Sequence, residues 1–470
     1  VLPDANYSYT CIWSYQTVNG LVIRSAAAPS VSTSVASFNA KTGKSSVIIH
    51  TPAITNRDIT QIKCELFRTV NNGTVFYKVD SFDVDQSFPT TTQRLIYNDT
   101  LLDADLIGNQ PLYTTGGVLE NAQLPACKHL SIYKNRVVAT GFQDNNIYYS
   151  KTSVNGAPLE FTKEGFITLD NDSDPITGHA QMDDKLVVFK KNKIIAISGD
   201  GANDLGANVS FSQPWILATD VGCINHNSIV LCPLGLMFQS EKGIYLLDRK
   251  LQTQYIGMAV KDFNQYSIGK SDLLKSDEKV AQIRMTFSDL DKCLVFDYQT
   301  NRWSVFTQSG GDDAVVWKEL HAVIKSNGDV YVENKSLFKD VGQAVETFTQ
   351  VVETQWMQLK DVQDFQRIYR LAFIGGLKSA HTLNVKAYYD YDDSNYDEYN
   401  FISSNITGSS YNDSVYQPMI HLKRQKCQAI KLRVEVIPTG GTEECLTLTD
   451  MSFEAGMKRG MNKVKAAKRL

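Results

Sequence analysis

What this chain lacks narrows its identity before what it holds. No apolar run approaches the roughly 20 residues that a bilayer-spanning helix needs, so no transmembrane helix is expected. The eight cysteines, at 11, 64, 127, 223, 232, 293, 427 and 445, form no CxxC pair. That spacing supports neither a zinc site nor a disulfide framework. It is expected of small hydrophobes in strands, made in a reducing cytosol, with Cys223 and Cys232 as possible strand neighbours. The seven histidines are spread singly, without metal-ligand spacing. Only 12 prolines stand against 43% hydrophobic and 10% aromatic residues, the composition of a folded chain. Neither sign of charge dominates: 47 basic and 51 acidic residues leave a net charge of −4, which argues against a wholesale grip on nucleic acid. At 470 residues there is room for two to four domains. The opening Val1-Leu-Pro-Asp4 holds neither an initiator Met nor a signal peptide, so the natural chain is expected to extend upstream or to have been processed. The Asn-x-Ser/Thr sequons, such as Asn6, Asn72 and Asn405, accordingly read as by-products of a polar β surface.

Catalytic signatures are missing as well. There is no H-E-x-x-H, no G-x-S-x-G and no G-x-G-x-x-G after a strand. Ile268-Gly269-Lys270-Ser271 ends like a phosphate-binding loop, but Asn264 stands where the first glycine must be. Without that glycine the backbone N–H groups cannot wrap a phosphate. Asp170-Asn-Asp172-Ser-Asp174-Pro175 begins like a calcium loop, yet Pro175 replaces the turn glycine and Gln181 the bidentate glutamate. No metal, cofactor or catalytic residue is nominated, and a non-enzymatic role is expected.

What is present is a recurring hairpin. Leu130–Val138, Lys185–Ile197, Gly235–Tyr245 and Leu294–Phe306 each hold an apolar run, a short polar turn and a second apolar run. Their turn centres, Asn135, Asn192, Lys242 and Gln299, recur every 50 to 57 residues. Repeats of this size made of short strands point to propeller blades, since one small sheet cannot bury both its faces alone. A helix is expected in the interval where Met258, Ala259, Phe263 and Tyr266 fall at roughly helical spacing, followed by Leu273-Leu274.

The fold class read from these patterns is all-β: a β-propeller with an N-terminal fibronectin/immunoglobulin-like β-sandwich and a C-terminal β domain. The sandwich is placed at 1–116, the blades at 117–342, the last β domain at 343–457 and a basic tail at 458–470. Alternating strands such as Tyr7–Trp13 and Ile62–Arg68, separated by polar turns, fit the sandwich. The Tyr/Asp-rich stretch Tyr388–Tyr399 reads as a strand end and a solvated loop. In the tail Lys458, Arg459, Lys463, Lys465, Lys468 and Arg469 fall within thirteen residues without an acid. They are the candidate contacts to DNA phosphates or to an acidic partner.

Taken in order, these segments resemble the tail nozzle proteins of short-tailed bacteriophages, also called tail tubular protein B or packaged-DNA stabilisation proteins. The likeness is carried by Asn135-Arg136-Val-Val, Ile147-Tyr-Tyr-Ser150, Asp174-Pro175-Ile-Thr177 and Lys185–Lys190. It continues through Val221-Gly-Cys-Ile-Asn225, Gly235-Leu-Met-Phe238 and Gly243-Ile-Tyr245. Thr354-Gln-Trp356, Phe365-Gln-Arg367, Thr382–Tyr391 and Gly456-Met-Lys-Arg-Gly460 resemble the family's terminal domain. The opening sandwich is similar to insertions that some members carry.

The resemblance implies a structural virion protein, a homohexameric tube below the portal and adaptor ring that continues the DNA channel, retains packaged DNA and opens for ejection. Implied partners are the adaptor, tail fibres or other tail proteins, and duplex DNA in transit, with no small-molecule substrate and no membrane segment. The implied location is the virion tail, assembled in the host bacterial cytoplasm. A second class is a receptor- or glycan-binding tail protein, expected to gather aromatic rings such as Tyr396 and Tyr399 on one concave patch. A third is a cell-wall glycan hydrolase, which needs two carboxyl groups about 5 to 9.5 Å apart in a cleft.

Overall fold

The computed structural model describes residues 5–17, 20, 22–35, 45–51, 61–83, 93–112, 121–142, 144–154, 158–169, 174–203, 211–276, 280–307, 309–334, 340–341, 345–346, 348–359, 366–402, 414–439 and 444–457. The chain separates into two compact units, Val1–Tyr331 and Val332–Leu470.

The first unit begins with two antiparallel sheets. Ala5–Gln16 is the spine of one, flanked by Val22–Arg24, Val31–Val35 and Ile62–Thr69, with Phe76–Asp83 beyond. The other pairs Ser45–Thr51 with Gln93–Asp99. Tyr7, Tyr9, Cys64 and Leu66 from the first sheet meet Ile49 from the second in a shared core, the arrangement of a β-sandwich.

Five small meandering sheets follow. Blade one is His129–Tyr133, Arg136–Thr140, Asn146–Ser150 and Phe161–Thr168. Blade two is Ile176–Met182, Lys185–Lys190, Ile194–Ser198 and Trp215–Ala218. Blade three is Val230–Cys232, Gly235–Ser240, Gly243–Asp248 and Thr253–Tyr255. Blade four is Ile268–Ser276, Val280–Phe287, Lys292–Asp297 and Arg302–Thr307. Blade five is Asp313–Trp317, Leu320–Ile324 and Val330–Val332. Each blade's first strand lies beside the first strand of the next, so the blades wind about a common axis as in a β-propeller.

The side-chain alternation of a strand explains why these sheets stack. Leu186 and Val188 point at Tyr133, Val138 and Ile147 of blade one. The intervening Val187 and Phe189 point the other way, onto Leu236 and Phe238 of blade three. Met237, Ile244 and Leu246 then face Ile283, Met285 and Phe296 of blade four. A sheet buried on both faces needs a continuous apolar run, which is what Leu186–Phe189 and Leu236–Phe238 supply. Turn chemistry agrees: Lys134 and Asn135 both hold positive φ (44 and 60) in a two-residue connection matching the strand twist. Gly235 has φ +147 with Leu247 O only 2.0 Å from where a Cβ would sit, so no side chain fits.

The quoted hairpins take different places within their blades. Leu130–Val138 spans strands one and two, Lys185–Ile197 and Gly235–Tyr245 span two and three, and Leu294–Phe306 spans three and four. Their loose spacing follows from that. The expected helix is not an α-helix. Gly257–Phe263 is a 3₁₀ segment broken at Val260 (φ −120), and Leu273-Leu274 lies in the first strand of blade four. Pairing of Ile268–Ser276 with Val280–Phe287 satisfies the backbone there, leaving only one apolar flap, Val260 and Phe263, over the blade core.

The second unit is a further sandwich. One sheet runs Gln350–Glu353, Ile430–Pro438, His381–Tyr389 and Tyr396–Ile402. The other is built on Gln366–Leu377, paired along its length with Leu446–Met457. Ile368, Leu371 and Phe373 from the second sheet pack on Leu383, Val385, Leu432 and Val434 from the first.

Candidate functional site

Winding the blades about one axis brings together titratable side chains that are isolated in sequence. His129 comes from the first strand of blade one and His179 from that of blade two. His226 sits on the 3₁₀ turn His226–Ser228 that leads into blade three. Asn225 caps this turn, accepting the Asn227 N–H, and donates from Nδ2 to Ile268 O at 2.6 Å, tying it to blade four. The His129 and His226 rings stack with centroids 4.3 Å apart, and His179 lies 5.6 Å from His226. His179 is 1% exposed; its Nδ1 shares a 2.7 Å hydrogen bond with Thr140 Oγ1, while Nε2 has no partner. Burial, then the neighbouring His226, lowers the His179 pKa to about 3. Burial and then His129 and Lys270 lower that of His226 to about 4. His129 is lowered too, by burial and Lys128. At neutral pH the trio is therefore an uncharged stack.

Farther round the axis, blade four contributes Lys270 and Asp272 and blade five Asp313 and His321. Lys270 Nζ lies 4.0 Å from Asp313, and His321 Nε2 lies 3.8 Å from Asp272 Oδ2. Burial raises the Asp272 carboxyl to about 6, with Lys270 opposing and Asp313 adding to the shift. Among the described residues no group of three His, Cys, Asp or Glu side chains could hold a metal ion.

The axis should make stability depend on pH. A histidine whose folded pKa lies below its unfolded value of about 6.5 contributes stability that is present above that value and lost as pH falls toward the folded pKa. For His179 the window is 6.5 to about 3, a loss of about 2 kcal/mol by pH 5. Asp272 acts oppositely between about 6 and its ordinary value, because the folded state takes the proton first. Melting curves at pH 7.5 and 5 should show a downshift that His179→Gln reduces and Asp272→Asn enlarges. Equal shifts in all three proteins would refute this account.

The ends of the blade row form a second feature. Register places Leu130 and Ile132 with Val137, Ala139 and Tyr148 on the face of blade one turned away from blade two. Leu130 is 58% and Ile132 71% exposed. On blade five, Val315 and Trp317 share a face with Ala322 and Leu320, turned away from the buried Val323 and His321, and each is 57% exposed. Among the described residues the first and last blades thus carry unlike apolar faces with exposed side chains. A cleft of about 190 Å³ beside Leu124, Pro125, Tyr148, Phe161, Lys163 and Phe166 lies on blade one and contains no carboxylate.

The tail candidates Lys458, Arg459, Lys463, Lys465, Lys468 and Arg469 lie outside the described residues. So do residues 170–173 of the calcium-like stretch; its Asp174 accepts the Asn192 N–H at 3.1 Å. Ile268–Ser271 is strand, not a loop that could wrap a phosphate. All eight cysteines are free thiols. Tyr396 and Tyr399 do not converge: Tyr396 stands opposite Tyr388 on the outer face of its sheet, while Tyr399 packs against the core on the other. They stand three positions apart on one strand, and that odd offset alone puts them on opposite faces. The histidine stack escaped sequence reading, since single histidines about 50 residues apart show no local pattern.

No family model matches the sequence, and no curated protein matches it. Among solved structures the chain is similar to an exo-β-1,3-galactanase of Phanerochaete chrysosporium with galactose, at 9% identity and a TM-score of 0.21. A glutamate-to-alanine form of that enzyme with β-1,3-galactotriose is similar at 8% identity and the same TM-score. Each match covers 83% of this chain and 78% of the other. At that TM-score the likeness carries no functional argument.

Proposed function

We propose that this chain is a structural subunit of the tail nozzle of a short-tailed bacteriophage, assembling into a ring that continues the DNA channel and holds packaged DNA until ejection. The observation that carries the reading furthest is the pair of apolar blade faces with exposed side chains among the described residues, Leu130 and Ile132 on the first blade and Val315 and Trp317 on the last. Patches of this kind on an otherwise well-packed protein mark interaction surfaces. Because the two faces are unlike, a contact between copies would be heterologous, the kind that builds a ring when the rotation between copies closes and a filament when it does not. A net charge of −4 suits a lumen through which duplex DNA slides without sticking. The sixfold symmetry, the adaptor and fibre partners, the virion location and a non-enzymatic role come from the resemblance. Mass photometry of the purified chain, with negative-stain images, tests the proposal. Particles of six 52.5 kDa chains around a central hole are expected. A monomer at micromolar concentration without rings would overturn it.

A further inference from the structure

The outer face of the first sheet of the second unit gathers three tyrosines of one hairpin and a tryptophan that lies apart from them in sequence. Tyr388 and Tyr396 stand opposite each other with ring centroids 5.3 Å apart. Trp356 and Tyr391 form a second pair at 5.1 Å. The Lys431 ammonium joins the two pairs, 5.5 Å from the Trp356 ring centre and 4.9 Å from that of Tyr388. Tyr391 is held at the edge by the hairpin turn, where it and Asp390 both adopt positive φ. Tyr391 and Tyr396 are 52% and 47% exposed.

The charges around these rings are already paired. Lys431 bonds Glu353 at 3.0 Å and also Asp393; Lys386 reaches Glu435 at 3.2 Å; Arg433 reaches both Glu435 and Glu353. Asn384 Nδ2 donates to Glu398 at 2.6 Å. The three cations are thus matched by Glu353, Asp393 and Glu435, and Glu398, held by Asn384, is the one carboxylate in excess. A nucleic acid or acidic polymer would need unmatched cations here, and a basic partner more than a single excess carboxylate. What the face offers is ring area with hydrogen-bonding groups fixed between the rings. That combination suits a ligand with apolar C–H faces edged by hydroxyls.

We propose that this sheet face binds a neutral glycan, its sugar rings stacking on Tyr391 and Tyr396 and its hydroxyls meeting Lys386, Glu398 and Asp393. The inference rests on the second unit alone and holds whether or not the chain forms a ring. The test is binding of the full chain to an array of neutral oligosaccharides covering α- and β-linked hexoses, with sialylated and uronic-acid glycans and a DNA duplex as charged controls. Binding to neutral sugars is expected, with about a tenfold loss for each of Tyr391→Ala and Tyr396→Ala. Both side chains are exposed, so the variants should melt with the wild type. Trp356→Phe should remove the fluorescence change on adding a sugar found on the array, while binding persists. The proposal is overturned if no neutral sugar binds, if charged ligands alone bind, or if folded Tyr391→Ala/Tyr396→Ala binds as wild type.

Discussion

Ile132→Asp and Trp317→Asp are each expected to break the proposed ring into monomers while leaving the protomer's melting temperature unchanged. Both side chains stand mostly in solvent in the isolated chain, at 71% and 57% exposure, so neither contributes much to the fold. If they are buried between copies, each contact loses about 1.5 to 3 kcal/mol of apolar burial on substitution. A carboxylate at the same place then adds a desolvation cost of at least similar size, unless it finds a partner. A ring multiplies that loss by its number of contacts, so assembly should fail outright. Mass photometry at matched concentration reads the result. Intact rings in both variants would remove the blade ends from the contact. Intact rings in one alone would show that only one end takes part.

The second large effect concerns the N-terminal sandwich. Arg68→Met is expected to destabilise that sandwich by about 3 to 5 kcal/mol, as breaking a buried ion pair does. Arg68 and Asp99 are both wholly buried, with Nη1 3.1 Å from Oδ2. Tyr9 also donates to Asp99 at 2.8 Å, and the guanidinium lies over the Tyr7 ring, 4.6 Å from its centre. Arg68 Nη2 reaches outward to Asp103 and to Leu101 O, both at 2.9 Å. Methionine fills a similar volume but leaves the Asp99 carboxylate in the core without its cation. Arg68→Met/Asp99→Leu, which removes both charges, should recover a substantial part of the loss. Differential scanning calorimetry on the full chain would show the earliest transition moving down in the single variant and back in the double. If the double variant is no better than the single, the cost lies in packing around Tyr7 rather than in the stranded charge.

Strands and turns were legible where their cause is local. Leu186–Phe189 is apolar without interruption because its sheet is covered on both sides, and that pattern needs no knowledge of what covers it. Tyr7, Tyr9, Cys11 and Trp13 alternate because they share the face turned to the sandwich core, although Thr10 and Ile12 on the other face are buried as well. The Lys134-Asn135 turn follows from chemistry confined to two residues. The segment after Met258 misled for the same reason: its apolar residues fall at helical spacing, but Leu273 and Leu274 are claimed by pairing with Val280–Phe287, a partner the spacing does not contain.

The sequence by itself determined the all-β class, the recurrence of blades and the absence of any motif that nominates a metal or a nucleophile. Only the tertiary structure decided which side chains share a place. His129, His179 and His226 meet because successive first strands adjoin around one axis. Leu130 and Val315 stand exposed because they lie on the outward faces of the first and last described blades. Trp356 reaches Tyr391 and Lys431, and Lys431 in turn Tyr388, through strands that pair out of chain order. Those contacts depend on how sheets wind and stack, and no local periodicity records that.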